Sequence, residues 1–170
     1  MVLVRKALFN DIYGIRRVCV EGYRATYKNL LSNDYIERTI DKFYNLDRLA
    51  NEVTNPEGWD GWFVALENGE VVGAGGGGMT SENTGEVFVL YLDPTRRGEG
   101  IGSLLLKAIS DEQLAKGATE QWVSVQMNNE KGIPFYKARG FQYHSEQRTY
   151  ESEKADHAIS LRLVRKLQRD

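Results

Sequence analysis

Six consecutive residues, Arg97-Gly98-Glu99-Gly100-Ile101-Gly102, carry the densest chemical signal in this chain. They follow the apolar run Val87-Phe88-Val89-Leu90-Tyr91-Leu92 and lead directly into Ser103-Leu104-Leu105-Leu106, an order that reads as strand, glycine turn and helix. The first turn of a helix has backbone N–H groups without intrahelical acceptors and a partial positive charge. A phosphate chain placed there gains hydrogen bonds and a favourable field together. Gly98, Gly100 and Gly102 keep Cβ atoms out of the path of such a ligand. The predicted chemistry is anion binding by main chain.

Spacing tests which phosphate ligand this is. A Walker-type loop needs Lys followed by Ser or Thr after its last glycine, and Gly102 is followed by Ser103-Leu104. A dinucleotide fingerprint needs Gly-x-Gly-x-x-Gly within an early βαβ unit, whereas these glycines alternate as Gly-x-Gly-x-Gly. A second block lies about one helix and one strand downstream: Asn129-Glu130-Lys131-Gly132-Ile133-Pro134-Phe135-Tyr136-Lys137-Ala138-Arg139-Gly140-Phe141.

Together the two blocks resemble the GCN5-related N-acetyltransferase superfamily. Its acetyl-CoA motif is Gln or Arg, two residues, Gly, one residue, then Gly or Ala, and its second signature is Asn-x-x-Ala-x-x-Phe-Tyr-x-x-x-Gly-Phe. This chain departs at Gly132, where the family usually has Ala, and Pro134 is expected to tighten or kink the first turns of that helix. The resemblance places acetyl-CoA against the main chain of Leu90 and Leu92, against Arg97, Gly98, Gly100, Ile101, Gly102 and Ser103, and against Asn129 and Tyr136. It also implies that the two central strands, here Glu86 to Leu92 and Gln121 to Gln126, diverge at their C-terminal ends. The unpaired backbone in that gap would hold the pantetheine arm.

Attack of an amine on a thioester needs a neutral amine, and an alkyl amine has a reference pKa of about 10. Glu86 is the candidate base: it stands eleven residues before Arg97, the offset at which the histone-modifying branch of the family carries its glutamate. The same residue also reads as a solvated carboxylate at a strand start, and a water chain could replace it; the sequence leaves these open. Tyr136 is the candidate acid that returns a proton to the departing thiolate, and backbone N–H groups near Leu92 could polarise the thioester carbonyl.

Other polar residues carry less. Arg96 is a contact to phosphate or ordinary solvated charge, and Lys137 and Arg139 reach the adenosine end or form a solvated helix face. His144 and His157 show no metal-ligand spacing, so no metal is expected. Cys19, on an apolar helix face, reads as a core residue, which favours direct transfer over a covalent acetyl-enzyme. The run Gly75-Gly76-Gly77-Gly78 implies a bulge, a loop or a close approach; we expect the missing side chains to leave room for the acceptor beside Glu86.

The elements that must position these groups follow from periodicity. Strands are expected at 2–5, 62–66, 71–74, 87–92, 121–126, 142–149 and 158–164, with Asn68-Gly69 turning a hairpin. A helix starts at Asn10 or Asp11 with Ile12, Ile15, Val18 and Cys19 inward, a second runs from Asn33 to Tyr44, and 47–53 adds a helical turn. A long helix ends near Gly117, and the Asn129 block supplies the last. The expected fold is α/β: a mixed, mostly antiparallel central sheet with splayed central strands and about four flanking helices.

The whole chain, 1–170, reads as one acetyltransferase domain. Its 22 basic and 24 acidic residues leave a net charge of −2, which implies no nucleic-acid partner. The lone cysteine excludes an internal disulfide framework. No apolar run is long enough for a membrane, and no signal-peptide core is visible, so a cytoplasmic protein is expected. The acceptor is expected to be a small cationic amine, met by Glu21, Tyr23, Tyr27, Tyr35, Trp59 and Asp60. Peptide or protein N-acetylation, and a noncatalytic acyl-CoA-binding or sensing role, stay open. Homodimers are common in the family, but no interface stripe stands out.

Overall fold

The computed structural model describes residues 1–150 and 152–168. Seven strands, β1 (Leu3–Lys6), β2 (Phe63–Glu67), β3 (Glu70–Met79), β4 (Thr84–Leu92), β5 (Glu120–Gln126), β6 (Gln142–Arg148) and β7 (Ile159–Lys166), form one sheet in the order β1-β2-β3-β4-β5-β7-β6. Every pairing is antiparallel except β4 with β5. That junction is made through helix α4 (Ile101–Ala115), the crossover a parallel pair requires. Helices α1 (Ile12–Tyr27), α2 (Asn33–Phe43) and α3 (Leu46–Thr54) pack on one face, against Val64, Leu66, Val71 and Ala74. On the other face α4 and α5 (Gly132–Lys137) pack on Val87, Val123, Val125 and Leu163.

Local chemistry accounts for most boundaries. Ser32 caps α2 by accepting from the Tyr35 N–H at 3.1 Å, and Asn45 caps α3 by accepting from Arg48 N–H at 2.9 Å. That second cap, with Leu49 fully buried, is why 46–54 forms a complete helix where the sequence suggested only a turn. The chain thus has five helices among the described residues against the four or so expected. Asn68 and Gly69 both take positive φ, 52° and 80°, and turn the β2–β3 hairpin as expected. Pro134 does not kink α5: it lies in the first turn, where an amide N–H has no intrahelical acceptor to lose.

The glycine run corrects two expectations. β3 does not stop at Ala74 but continues through Gly75–Gly78 to Met79. The space over the glycines is filled by the protein itself rather than left for an acceptor. A Cβ on Gly76 would collide with the Gly61 carbonyl and come within 2.6 Å of the Trp59 ring, and one on Gly78 would lie 2.9 Å from Trp59 Cα. The segment is drawn this close by the Asp60 N–H, which donates to the Gly77 carbonyl at 2.8 Å. On the opposite face the bare Gly77 and Gly85 make room for the buried Gln113 side chain.

The most consequential irregularity is in β4. Gly76 pairs with Val89 and Gly77 with Val87, so Phe88 has no partner and bulges. β4 and β5 pair only over Thr84–Val87 and Glu120–Val123, although β4 runs on to Leu92 and β5 to Gln126. The central strands are splayed, as expected, and they part at the bulge. Their closed end is fastened by Gln113, whose Nε2 donates to the Glu86 carbonyl at 2.9 Å while its Oε1 accepts from Gln121 at 3.0 Å.

Because Gly76 faces protein rather than open space, Gly76→Val is expected to destabilise the fold by about 1–3 kcal/mol through overpacking. Urea denaturation monitored by tryptophan fluorescence checks this, with a lowered midpoint at unchanged slope.

Candidate active site

The gap between β4 and β5 opens into a cleft of about 350 Å³. Its lining contains each residue singled out for donor binding: Leu90, Leu92, Arg97, Gly98, Gly100, Ile101, Gly102, Ser103, Asn129 and Tyr136. Two segments distant in sequence, the glycine turn and the Asn129 block, thus meet across one opening. Thr26, Tyr27, Tyr44, Phe88 and Ser124 complete the walls toward the α1–α2 side.

The glycines play different parts. Gly98 and Gly100 hold φ of +82° and +84°, and nothing lies within 4 Å of where their Cβ atoms would be. Gly100 is the N-cap of α4, so a left-handed residue delivers the first helical N–H groups to an open cradle. Gly102 instead lets α4 rest on Phe135, 3.0 Å from its would-be Cβ. Past Val87 the inner edge of β4 has lost its β5 partner, leaving main-chain groups facing the cleft. Open cradle, helix start and unpaired strand edge together fit a phosphate-bearing ligand with an amide-bearing arm.

The arginines separate cleanly. Arg96 is withdrawn from the cleft: its guanidinium donates to Glu99 at 2.7 Å and to Glu67 at 2.9 Å. Arg97 lines the cleft and donates to Thr26 Oγ1 at 3.3 Å. Arg139 also lines it, stacked 3.8 Å over the Phe135 ring and hydrogen-bonded to Ser103 Oγ, while Lys137 lies outside the lining.

Of the two catalytic candidates, Glu86 stands outside the lining. Its carboxylate is half-buried and accepts two hydrogen bonds from Arg162, at 2.8 and 3.0 Å; the same guanidinium donates to Ser124 Oγ, a lining residue, and lies over the Trp122 ring. Glu86 is therefore ion-paired and partly exposed, one residue from the wall. Sequence reasoning missed Arg162 because its partner is far away in the chain, and only the alternation of β7 could have placed it on this face. Tyr136 sits in the cleft wall, packed edge-on against Phe135 and Phe141, and burial pushes its phenol above the ordinary range.

The residues expected to meet the acceptor are mostly engaged elsewhere. Asp60 pairs with Lys116, Trp59 packs on Trp62 and Gly78, and Glu21 lies 3.7 Å from Arg17 on the outer surface of α1. Tyr23 and Tyr35 are buried, leaving Tyr27 as the one of that set in the cleft. Tyr44, which the sequence did not single out, joins it. Over the β6–β7 side, Arg38 of α2 pairs with Asp156, and Phe43 lies against Tyr150. Cys19 is fully buried, and burial pushes its thiol up, away from the reactive thiolate.

Known proteins match this arrangement. The model of the acetyltransferase (GNAT) family aligns with residues 24–141. Spermidine N(1)-acetyltransferase of Thermoplasma acidophilum is 29% identical over 140 residues, 81% of this chain and 86% of its own length. The uncharacterized N-acetyltransferase YuaI of Bacillus subtilis is 33% identical over 143 residues, covering 81% and 79%. Among solved structures, the PaiA N-acetyltransferase of Thermoplasma acidophilum in complex with coenzyme A superposes with a TM-score of 0.82 at 23% identity over 98% of this chain and 99% of that one.

Since Gly100 holds a left-handed conformation at the helix start, Gly100→Ala is expected to cost about 1–2 kcal/mol of backbone strain. Titration calorimetry with coenzyme A should show weaker binding, by about tenfold, as the strained turn relaxes away from the cradle geometry.

Proposed function

The chain belongs to the acetyltransferase (GNAT) family, and on that premise we propose that it moves the acetyl group of acetyl-CoA to a primary amine by direct attack with both substrates bound, the acceptor being a small cationic amine. The observation that carries this reading is the convergence of the glycine turn, the Asn129 block and a buried phenol on the single cleft where β4 and β5 part. Acetyl-CoA, the donor substrate, supplies an activated thioester. The chain's residues supply orientation, charge and protons.

In this reading the α4 N-terminus, Arg97 and Arg139 meet the phosphates, and the freed edge of β4 at Leu90 and Leu92 meets the pantetheine amides. Glu86 takes the proton that the amine sheds, by way of solvent at Ser124. Arg162 keeps the carboxylate in place. Tyr136 returns a proton to the thiolate; burial keeps the phenol in its protonated form above neutrality. Transfer proceeds without a covalent acetyl-enzyme, consistent with the inaccessibility of Cys19. Two facts support a cationic acceptor: the relative from Thermoplasma acidophilum is a spermidine acetyltransferase, and the acceptor side offers the rings of Tyr27, Tyr44 and Phe88.

A thiol-release assay with acetyl-CoA across polyamines, other alkyl amines, amino acids and short peptides tests the proposal. Turnover is expected with a polyamine or small amine; tight acetyl-CoA binding with silence across the panel would point to a sensing domain instead. Tyr136→Phe is expected to lower kcat by about 10²-fold with donor affinity unchanged. Glu86→Gln keeps a hydrogen-bond acceptor for Arg162 but cannot take a proton, and should lower kcat by about 10²-fold; a rate equal to wild type would assign deprotonation to water.

A further inference from the structure

Arg139 and Arg165 are charged groups without a counter-charge. Elsewhere guanidiniums of this chain end on carboxylates: Arg24 on Glu37, Arg96 on Glu67 and Glu99, Arg162 on Glu86. Arg139 and Arg165 form no ion pair among the described residues, and their hydrogen bonds go to neutral acceptors. Arg139 directs Nε and Nη2 to one hydroxyl, Ser103 Oγ, and Nη1 to the Phe135 carbonyl at 2.8 Å. Arg165 donates to Gln121 Oε1 at 2.9 Å, to Ser110 Oγ at 3.0 Å and to the Arg139 carbonyl at 2.9 Å. Burial, and then the Arg139 charge, hold the Arg165 guanidinium below its ordinary value. Two cations kept together with no anion are unfavourable, and charge arrangements of this kind gather at binding sites.

Both arginines are built into one corner. Arg139 lies 3.8 Å from the centre of the Phe135 ring, and Arg165 lies 4.6 Å from that of Phe141. Arg165, on β7, fastens the main chain of Arg139, just past α5, to Ser110 of α4. The Arg139 guanidinium is thereby presented at Ser103, in the first turn after the Gly100 N-cap. Along the α4 axis that is about 5 Å from the cap, a separation that one ribose ring bridges. Ser103 and Arg139 also belong to two hollows at once, the cleft and a second groove that runs along α4 past Lys107 and Ser110 to Arg165 and Lys166. The carboxylates of that groove are engaged, Asp111 by Lys107 at 2.7 Å and Glu120 by the Trp122 indole N–H at 3.0 Å. Positive charge remains where groove and cleft meet.

We propose that Arg139 and Ser103 bind the phosphomonoester of the donor, the 3′-phosphate on the ribose of acetyl-CoA, with Arg165 as the positioning residue that holds Arg139 there. This rests on the acetyltransferase reading above and divides the donor's phosphates between two places. The diphosphate falls to the α4 N-terminus and Arg97, where main-chain N–H groups converge. The monoester, with a charge of about −1.5 to −2 near neutrality, falls to the uncompensated arginines. N–H groups that Arg139 leaves unused match two phosphate oxygens together, and Ser103 Oγ, an acceptor for Arg139, keeps its own proton to donate. The site selects coenzyme A over pantetheine thioesters that lack this phosphate.

Titration calorimetry with coenzyme A and with 3′-dephospho-coenzyme A tests the assignment. Wild-type protein is expected to bind coenzyme A about tenfold more tightly. Arg139→Gln should bring the two ligands within about twofold of each other, with the Kd for the dephospho ligand staying within about threefold of wild type. Arg165→Gln leaves the Arg139 charge but loosens its seat, and should lower the preference at least threefold, to about threefold or less. Equal weakening of both ligands by Arg165→Gln is the mark of general damage and strikes Arg165 from the role. Ser103→Ala, which removes the hydroxyl seat and leaves the Arg165 corner intact, should lower the preference in the same direction and serves if Arg165→Gln does not fold. Equal binding of the two ligands by wild type, or a preference that survives Arg139→Gln, overturns the proposal. Failure of wild type to bind either ligand overturns the acetyltransferase reading instead.

Discussion

β4 and β5 hydrogen-bond for four residues and then part, and the site exists because of that interruption. A parallel pair left intact would satisfy its own main chain and offer nothing to a ligand. The Phe88 bulge bends β4 away at the point where pairing stops. Opposing it, the Gln113 amide ties the Glu86 carbonyl to Gln121 and keeps the two strands together just below. Ser110 and Arg165 extend that fastening, since both bond to Gln121. The opening is therefore bounded on one side by buried polar bonds that are all satisfied, which fixes its position along the sheet.

Around the opening, small residues decide what can come close to what. Gly77 and Gly85 admit Gln113; Gly76 and Gly78 admit the Trp59–Gly61 segment; Gly102 admits Phe135; Gly132 admits Asn129. Of the glycines that line the cleft, Gly98 and Gly100 are the two that face empty space, and both are held in left-handed backbone at the start of α4. The difference separates glycines that serve packing from glycines that leave the cleft open, although the sequence writes both with one letter.

What could be read from the sequence is what is local. The strand, glycine turn and helix around 98–102, the hairpin at Asn68-Gly69 and the Asn129 block are each specified within a few residues, and each lies where it was expected. The failures are contacts between distant segments. Nothing near Glu86 announces Arg162, and nothing in Gly75–Gly78 announces that Trp59 and Gly61 will lie on them. The acidic residues expected to greet a cation, Asp60 and Glu21, face cations of the protein's own. Gly132 was visible as a departure from a pattern, but its meaning needed the position of the Asn129 amide.

The seam has a consequence for how the chain assembles and what ligand does to it. On one side, β2, β3 and β4 follow one another as hairpins; on the other, β6 and β7 form a hairpin beside β5. Such locally connected pieces close cheaply and early, whereas the parallel junction must wait for α4 to bring its strands together. The cleft is thus the suture between two halves that can each form first, and the short pairing at Thr84–Val87 is a weak stitch. Any molecule bound in the cleft, touching α4 and β4 on one edge and α5 on the other, would be a second stitch and would favour the assembled state by mass action.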